Sequence, residues 1–278
     1  VGAGRVVSLV HASAVPALRP SVAPANMLRF GLGSRLFAGL HGWSGSGRSF
    51  DPLVPHLPDD VSLFAIEQPG FGGTPRPARW DLEHLVGPVV AALERLPEQP
   101  LTLVGHCAAA IAALHAALRL PRRIERVVLI DPFAYAPWYF SVFDWPLLGA
   151  LFYGFTFANP LGRWLTNRSL SRVRQPGMDL IEGFRTVRHV DNWRYLRVLV
   201  RSARNGVRVF APYRGRVDIV YGQRTFAAVR RSLDDWCALW PDLVAVELGG
   251  VGHMPMHEAP RAVSDAVFRA ASVPALGP

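Results

Sequence analysis

The chain has 278 residues, half of them apolar and 18% charged, enough to bury a full core as one domain or as a domain carrying an insertion, which excludes a disordered or collagen-like chain. Thirty basic residues against 21 acidic ones give +9, and every cation is an arginine, which removes Schiff bases, P-loop lysines and lysine-held cofactors. The two cysteines, Cys107 and Cys237, are too few for a disulfide framework or a cysteine-based metal site, so a reducing, cytoplasmic setting is expected, with no metal and no cofactor.

Residues 1–26 read as a tail or edge segment, and their apolar cluster Val6 to Val10 is too short for a secretory core. From there, short apolar runs alternate with longer helical patterns. Leu36 to Leu40, Val61 to Ile66, Leu101 to Val104, Val127 to Ile130, Val217 to Tyr221 and Leu243 to Leu248 read as strands. Leu82 to Leu96 (interrupted by Gly87 and Pro88), Ala108 to Leu120, Phe226 to Leu239 and Arg261 to Ala271 read as helices. That alternation predicts an α/β fold, with a mostly parallel, doubly wound central sheet flanked by helices.

The alternation breaks once. Residues 134–213 carry no convincing strand and are predicted to form a helical cap inserted after the strand ending near Ile130, which leaves 1–133 and 214–278 as the core. The first third of the insert is crowded with aromatics, of which Trp138, Tyr139, Phe143 and Trp145 are candidates to line an apolar acyl pocket, or else to form the core of the cap. The remainder is basic, so that eleven arginines against four acids give the insert +7 of the total charge. This excess reads either as a solvated face or as a landing site for an anion, such as a coenzyme A thioester, an acyl carrier protein or an anionic lipid surface. Nothing resembles a nucleic-acid motif. The weakly charged stretch from Phe133 to Pro160 is broken by Pro137 and Pro146, which leaves about twelve clean residues where a span needs ~20. The protein is therefore expected not to span a membrane, while surface contact stays open.

The chemistry concentrates where Leu101 to Val104 runs into Gly105-His106-Cys107-Ala108-Ala109 and a small-residue helix. A strand, a tight turn bearing one nucleophile and a helix make a nucleophile elbow, and small residues at 105, 108 and 109 let helix and strand approach. Three more motifs follow the same scheme. His41-Gly42-Trp43-Ser44-Gly45-Ser46-Gly47 is similar to an oxyanion loop, Gln68-Pro69-Gly70-Phe71-Gly72 to a Pro-Gly-aromatic-Gly turn, and Gly252-His253 with Glu258 and Pro260 to a catalytic-histidine loop. Together, in this order and spacing, they resemble the α/β-hydrolase family over nearly the whole chain, with cysteine in place of the usual serine.

A cysteine at a helix N-terminus meets unsatisfied N–H groups and the positive end of the dipole, which favour the reactive thiolate. By the resemblance, His253 serves Cys107 first as base and then as acid, and the backbone N–H groups of Trp43 and Ala108 face the oxyanion, each worth ~3 kcal/mol. On this reading the side chain at 43 matters little. The family's usual acid position reads Gly222-Gln223-Arg224-Thr225, and Thr225 carries no charge, so it is expected to contribute little. Asp131, at the family's alternative position after Ile130, is the expected third member. His106 is expected to be a packing residue, and Cys237, beside Trp236, to lie in the core.

The resulting expectation is a hydrolase of an ester, lactone or thioester of an apolar acyl group, working through a Cys107-His253-Asp131 triad and an S-acyl enzyme. Two alternatives stand beside it. One is an acyltransferase passing that acyl group to an acceptor other than water. The other is a ligand-binding protein of the same fold without turnover, suggested by Thr225 and by Ala109 where glycine is usual. A cysteine introduced in place of a native serine is a third account of position 107.

Overall fold

In the computed structural model the described residues run from 23 to 268. Seven strands, β1 (Met27–Phe30), β2 (Arg35–Leu40), β3 (Val61–Ile66), β4 (Leu101–His106), β5 (Ile124–Ile130), β6 (Arg216–Gly222) and β7 (Val244–Leu248), form one sheet in the order β1-β3-β2-β4-β5-β6-β7. All neighbours pair in parallel except β1, which runs antiparallel to β3. The sheet is thus the mostly parallel, helix-flanked one predicted. The edge strand β1 was not expected, because four residues are too short to show a period of two. The Val6 to Val10 cluster lies outside the described residues.

Strand residues alternate between two cores because successive side chains leave opposite faces. Leu36, Ala38, Leu103, Val127, Leu129 and Ile219 pack on one side, against α1 (Leu82–Glu94) and α2 (Ala109–Arg119). Phe37, Val104, Val128, Ile130 and Val220 pack on the other, with the 3-10 turn Gly47–His56 and with α9 (Pro260–Phe268). Contrary to the predicted interruption, α1 runs unbroken through Gly87 and Pro88. Burial of Leu85, Val86, Val89, Ala92 and Leu93 on the sheet outweighs the backbone bond that proline forfeits.

Between β5 and β6 the chain is helical: α3 (Trp138–Ser141), α4 (Leu148–Tyr153) continuing into a π turn at Gly154–Ala158, α5 (Pro160–Ser169) and α6 (His189–Ala203). Phe143, Tyr153, Phe157, Ile181, Phe184, Leu196 and Val200 form a separate small core there. Asp144, at the base of α4, is buried and holds Arg197 and Arg201 of α6 and Arg204 just after it at 2.9, 2.8 and 2.8 Å. One carboxylate therefore ties the start of this segment to its last long helix. The remaining helices are α7 (Ala227–Leu239) and the short α8 (Pro255–Glu258). On α7, Trp236 is fully buried but Cys237 is exposed, which corrects its expected place in the core. One residue is a 100° step around a helix, enough to carry a side chain from the core stripe to solvent. Among the described residues no helix is long and apolar enough to cross a membrane.

Candidate active site

Because β2, β4, β5, β6 and β7 run parallel, the loops after them share one edge of the sheet, where ligand crevices of open α/β sheets lie. Cys107 sits in the turn between β4 and α2 with φ +52°, a left-handed conformation that costs a non-glycine residue ~1–3 kcal/mol. The neighbouring sequence makes the turn achievable. A side chain at Gly105 would come within 2.9 Å of the Ala113 Cβ and 3.0 Å of the Ala110 Cα, so α2 packs directly on β4. Ala109 is already helical and fully buried, and the family's glycine is not needed there for conformation.

His253 follows β7 in a loop braced from two directions. Its N–H donates to the Val173 carbonyl, 2.8 Å, and the Gly252 N–H donates to Glu258 Oε2, 2.6 Å. Gly252 has to be glycine, since a Cβ would stand 2.4 Å from the Val173 oxygen. His253 Nδ1 lies 3.0 Å from Asp131 Oδ2 and 3.0 Å from Thr225 Oγ1. Asp131 is fully buried in a left-handed conformation, φ +49°, which a short polar side chain tolerates. Its Oδ1 accepts the Gly222 N–H, 3.0 Å, and its Oδ2 accepts the Thr225 hydroxyl, 2.9 Å. Burial alone would lower the His253 pKa. The charge at Cys107, the hydrogen bonds to Asp131 and Cys107, and the Asp131 charge overcome that and push it up to about 10. The carboxylate and the sulfur on either side of the ring thus both favour its charged form.

Thr225 is the residue whose part the sequence reading missed. It is buried, and its hydroxyl touches both Asp131 and His253, bracing the contact from the side. Its position in the family pattern was the available signal, discounted because threonine carries no charge.

The loop after β2 passes tightly over Cys107: a side chain at Gly42 would fall 3.3 Å from the Cys107 Cβ and 2.9 Å from His106 Nδ1. Neither the Trp43 nor the Ala108 N–H donates to a backbone acceptor in the turns they occupy. The Trp43 side chain is far from indifferent. Its indole N–H donates to the Asn192 carbonyl at 3.1 Å, and its ring meets Phe184 at 4.8 Å and Phe157 at 5.1 Å, joining the loop to the helical segment above. From below, Gln68 Nε2 donates to the His41 carbonyl, 2.6 Å, and Gln68 Oε1 accepts the Tyr195 hydroxyl, 2.6 Å. Burial lowers the His41 pKa to about 4, so this brace stays neutral. His106 is buried too, and burial with the nearby positive charge of His253 and His257 lowers its pKa to about 3.

Cys107, His253 and His106 face a cavity of about 1140 Å³, lined on its apolar side by Trp43, Tyr139, Phe140, Phe143, Phe157 and Phe184. Of the four aromatics singled out in the insert, Tyr139 and Phe143 stand in this lining, and Phe143 also packs in the small core of the helical segment. Trp138, 78% exposed, and Trp145, 49% exposed, are outside the lining, which corrects their expected role. The helix carrying Trp138 is one turn long, too short for its own periodicity to say which aromatic turns inward.

The family model for the alpha/beta hydrolase family matches residues 38–266. The chain belongs to the α/β hydrolase family. Among curated relatives, the Mycobacterium tuberculosis lipase LipV is 31% identical over 93 residues, 34% of this chain and 35% of that protein. A pimeloyl-[acyl-carrier protein] methyl ester esterase of Methylococcus capsulatus is 34% identical over 91 residues, 33% of this chain and 34% of its own length. Each match thus spans about a third of the relative. Among solved structures, the epoxide hydrolase VrEH1 of Vigna radiata superimposes with a TM-score of 0.67 at 18% identity, covering 89% of this chain and 97% of that one. That likeness is one of fold.

Proposed function

We propose that this α/β hydrolase cleaves an ester or thioester of an apolar acyl group, with Cys107 as nucleophile, His253 as acid and base, and Asp131 as the residue that orients and charges the imidazole. The observation that carries the proposal is the 3.0 Å approach of His253 Nδ1 to the buried Asp131 carboxylate, on the same sheet edge as a cysteine in a strained strand-to-helix turn. In the first step the Cys107 sulfur bonds to the carbonyl carbon, while the Trp43 and Ala108 N–H groups receive the developing oxyanion. Collapse expels the alcohol or thiol, protonated by His253, and leaves an S-acyl enzyme. A water then gives its proton to His253 and its oxygen to the acyl carbon, which releases the acid and restores the thiolate beside the imidazolium.

In this scheme the described residues on either side of the insert, 23–133 and 214–268, supply the catalytic core, and residues 134–213 act as a cap whose inner aromatics select the acyl chain. The cavity exceeds the ~300–1,000 Å³ usual for small-molecule sites and so suits a bulky acyl group. The acyl carrier protein esters named for several relatives support a carrier-linked or coenzyme A-linked substrate approaching the arginine-rich cap. A nucleophilic free thiol also fits a reducing, cytoplasmic setting.

The test is intact mass spectrometry after exposure to p-nitrophenyl esters and acyl thioesters of graded length. The expected result is turnover, with an acyl adduct on Cys107 that is absent in Cys107→Ala, and a chain-length preference that shifts in Phe184→Ala. Transfer of the adduct to an added alcohol or thiol faster than to water would assign acyl transfer instead. Ligand binding with neither adduct nor turnover would make the protein a non-catalytic binder.

A further inference from the structure

The helical segment between β5 and β6 has two apolar sides. Tyr153 and Phe157 turn inward to its small core, as an amphipathic helix requires. The opposite side is also apolar. Leu148, Leu151, Phe152 and Phe155 follow the spacing i, i+3, i+4, i+7 along α4 and its π turn, and all are exposed, Leu151 by 65% and Phe155 by 69%. On α5 the same spacing recurs outward in Leu161, Trp164 and Leu165 and closes with Arg168, whose guanidinium lies 5.9 Å over the Trp164 ring. The two faces adjoin, since a side chain at Gly162 would stand 1.9 Å from the Phe155 carbonyl and Asn159 ties the turn to both. Exposed apolar side chains grouped on adjoining helices in this way mark an interaction site.

Charge narrows the choice of occupant. From Trp145 through Met178 there is no aspartate or glutamate, while Arg168 and Arg172 stand exposed at the end of α5 and just beyond it; Arg163 and Arg174 are half-buried, their guanidinium groups donating to the Phe157 carbonyl and to the Asn167 and Gln175 carbonyls. On the other flank, beside Trp145, three arginines share the single carboxylate of Asp144. A second copy of the chain would bring like-charged rims together, which opposes pairing. An anionic bilayer satisfies both halves at once: acyl chains and interfacial glycerol accept Leu, Phe and Trp, and the headgroups accept the arginine rim. Residues 148–158 reach only about 16 Å at 1.5 Å per residue, half of a ~30 Å hydrocarbon core, so the helix can lie in the interface but cannot cross it.

We propose that the outward faces of α4 and α5 dock this protein onto an anionic lipid surface. The proposal is independent of the chemistry assigned to Cys107. It is tested by co-sedimentation of the full chain with vesicles of phosphatidylcholine alone and of equal parts phosphatidylcholine and phosphatidylglycerol. Binding is expected to the mixed vesicles, at least ten-fold weaker to phosphatidylcholine alone, and weakened by salt. Leu151→Glu/Phe155→Glu, folded by circular dichroism, should lose at least ten-fold in vesicle affinity. Trp164→Ser/Leu165→Ser provides a second perturbation of the same face should the first not fold. Arg168→Glu/Arg172→Glu should bind more weakly and with less response to salt. The proposal is overturned if the wild type stays in the supernatant, or if the folded apolar variants sediment as it does. It is also overturned if light scattering shows a dimer that those variants dissociate while vesicles leave it unbound. An acidic carrier protein that binds this face in place of vesicles overturns it as well.

Discussion

Asp131→Asn is the sharpest test of the site, because it keeps the shape of the side chain and removes its charge. In the native arrangement Oδ1 accepts from Gly222 at 3.0 Å, while Oδ2 takes the Thr225 hydroxyl at 2.9 Å and faces His253 Nδ1 at 3.0 Å. An asparagine cannot reproduce this. If its oxygen stays with Gly222, its NH₂ group faces the imidazole, which must then lose its Nδ1 proton and keep the proton on the nitrogen that should serve the sulfur. If it flips, two buried donors confront each other at Gly222, at a cost of ~1–3 kcal/mol. In serine triads the corresponding change costs about 10⁴ in kcat. A thiolate–imidazolium pair depends less on the third charge, so kcat/KM is expected to fall by about 100-fold, or ~2.7 kcal/mol at 1.36 kcal/mol per decade. The assay is steady-state cleavage of a p-nitrophenyl ester, with the rate of Cys107 alkylation measured alongside and circular dichroism confirming the fold. Activity and alkylation both within about three-fold of wild type would refute the reasoning, because His253 would then owe neither its charge nor its orientation to Asp131.

Thr225→Val keeps the bulk and removes the hydroxyl, and is expected to lower kcat/KM by about ten-fold with KM unchanged, a loss that Thr225→Ser restores. The His253 pKa lies at about 10 in the folded chain against 6.5 unfolded, so its contribution to stability is complete below about 6.5 and disappears as pH rises through about 10. The Tm difference between wild type and His253→Gln should follow that course across a pH series, and a difference growing toward alkaline pH would contradict it. Asp144→Asn should destabilise the fold by ~2 kcal/mol, because three arginines lose their shared partner. Urea unfolding at low and high salt should show that loss shrinking as salt screens the exposed guanidinium groups.

What could be read without coordinates is what short-range chemistry determines. Apolar runs of strand length, small residues after Leu101 to Val104 and glycines around His41 and His253 each describe a local backbone state. Their order along the chain is enough to imply a parallel sheet whose loops share one edge. Asp131 could be picked out because it stands where a strand ends, a property of its own neighbourhood. The meeting of Asp131, Thr225 and His253 is another matter. The residues lie 94 and 28 positions apart along the chain, and a hydroxyl becomes a partner of the imidazole only after β5, β6 and β7 come into register. The outward turn of Trp138, Trp145 and Cys237 was settled in the same way, by packing. A one-turn helix has no periodicity to read, and α7 had to be seated before it was clear which of two adjacent residues faced solvent. Composition showed that the insert was aromatic and arginine-rich. Only the folded helices divided those side chains between the cavity wall and an exposed apolar face, because that division depends on which direction each helix turns its stripe.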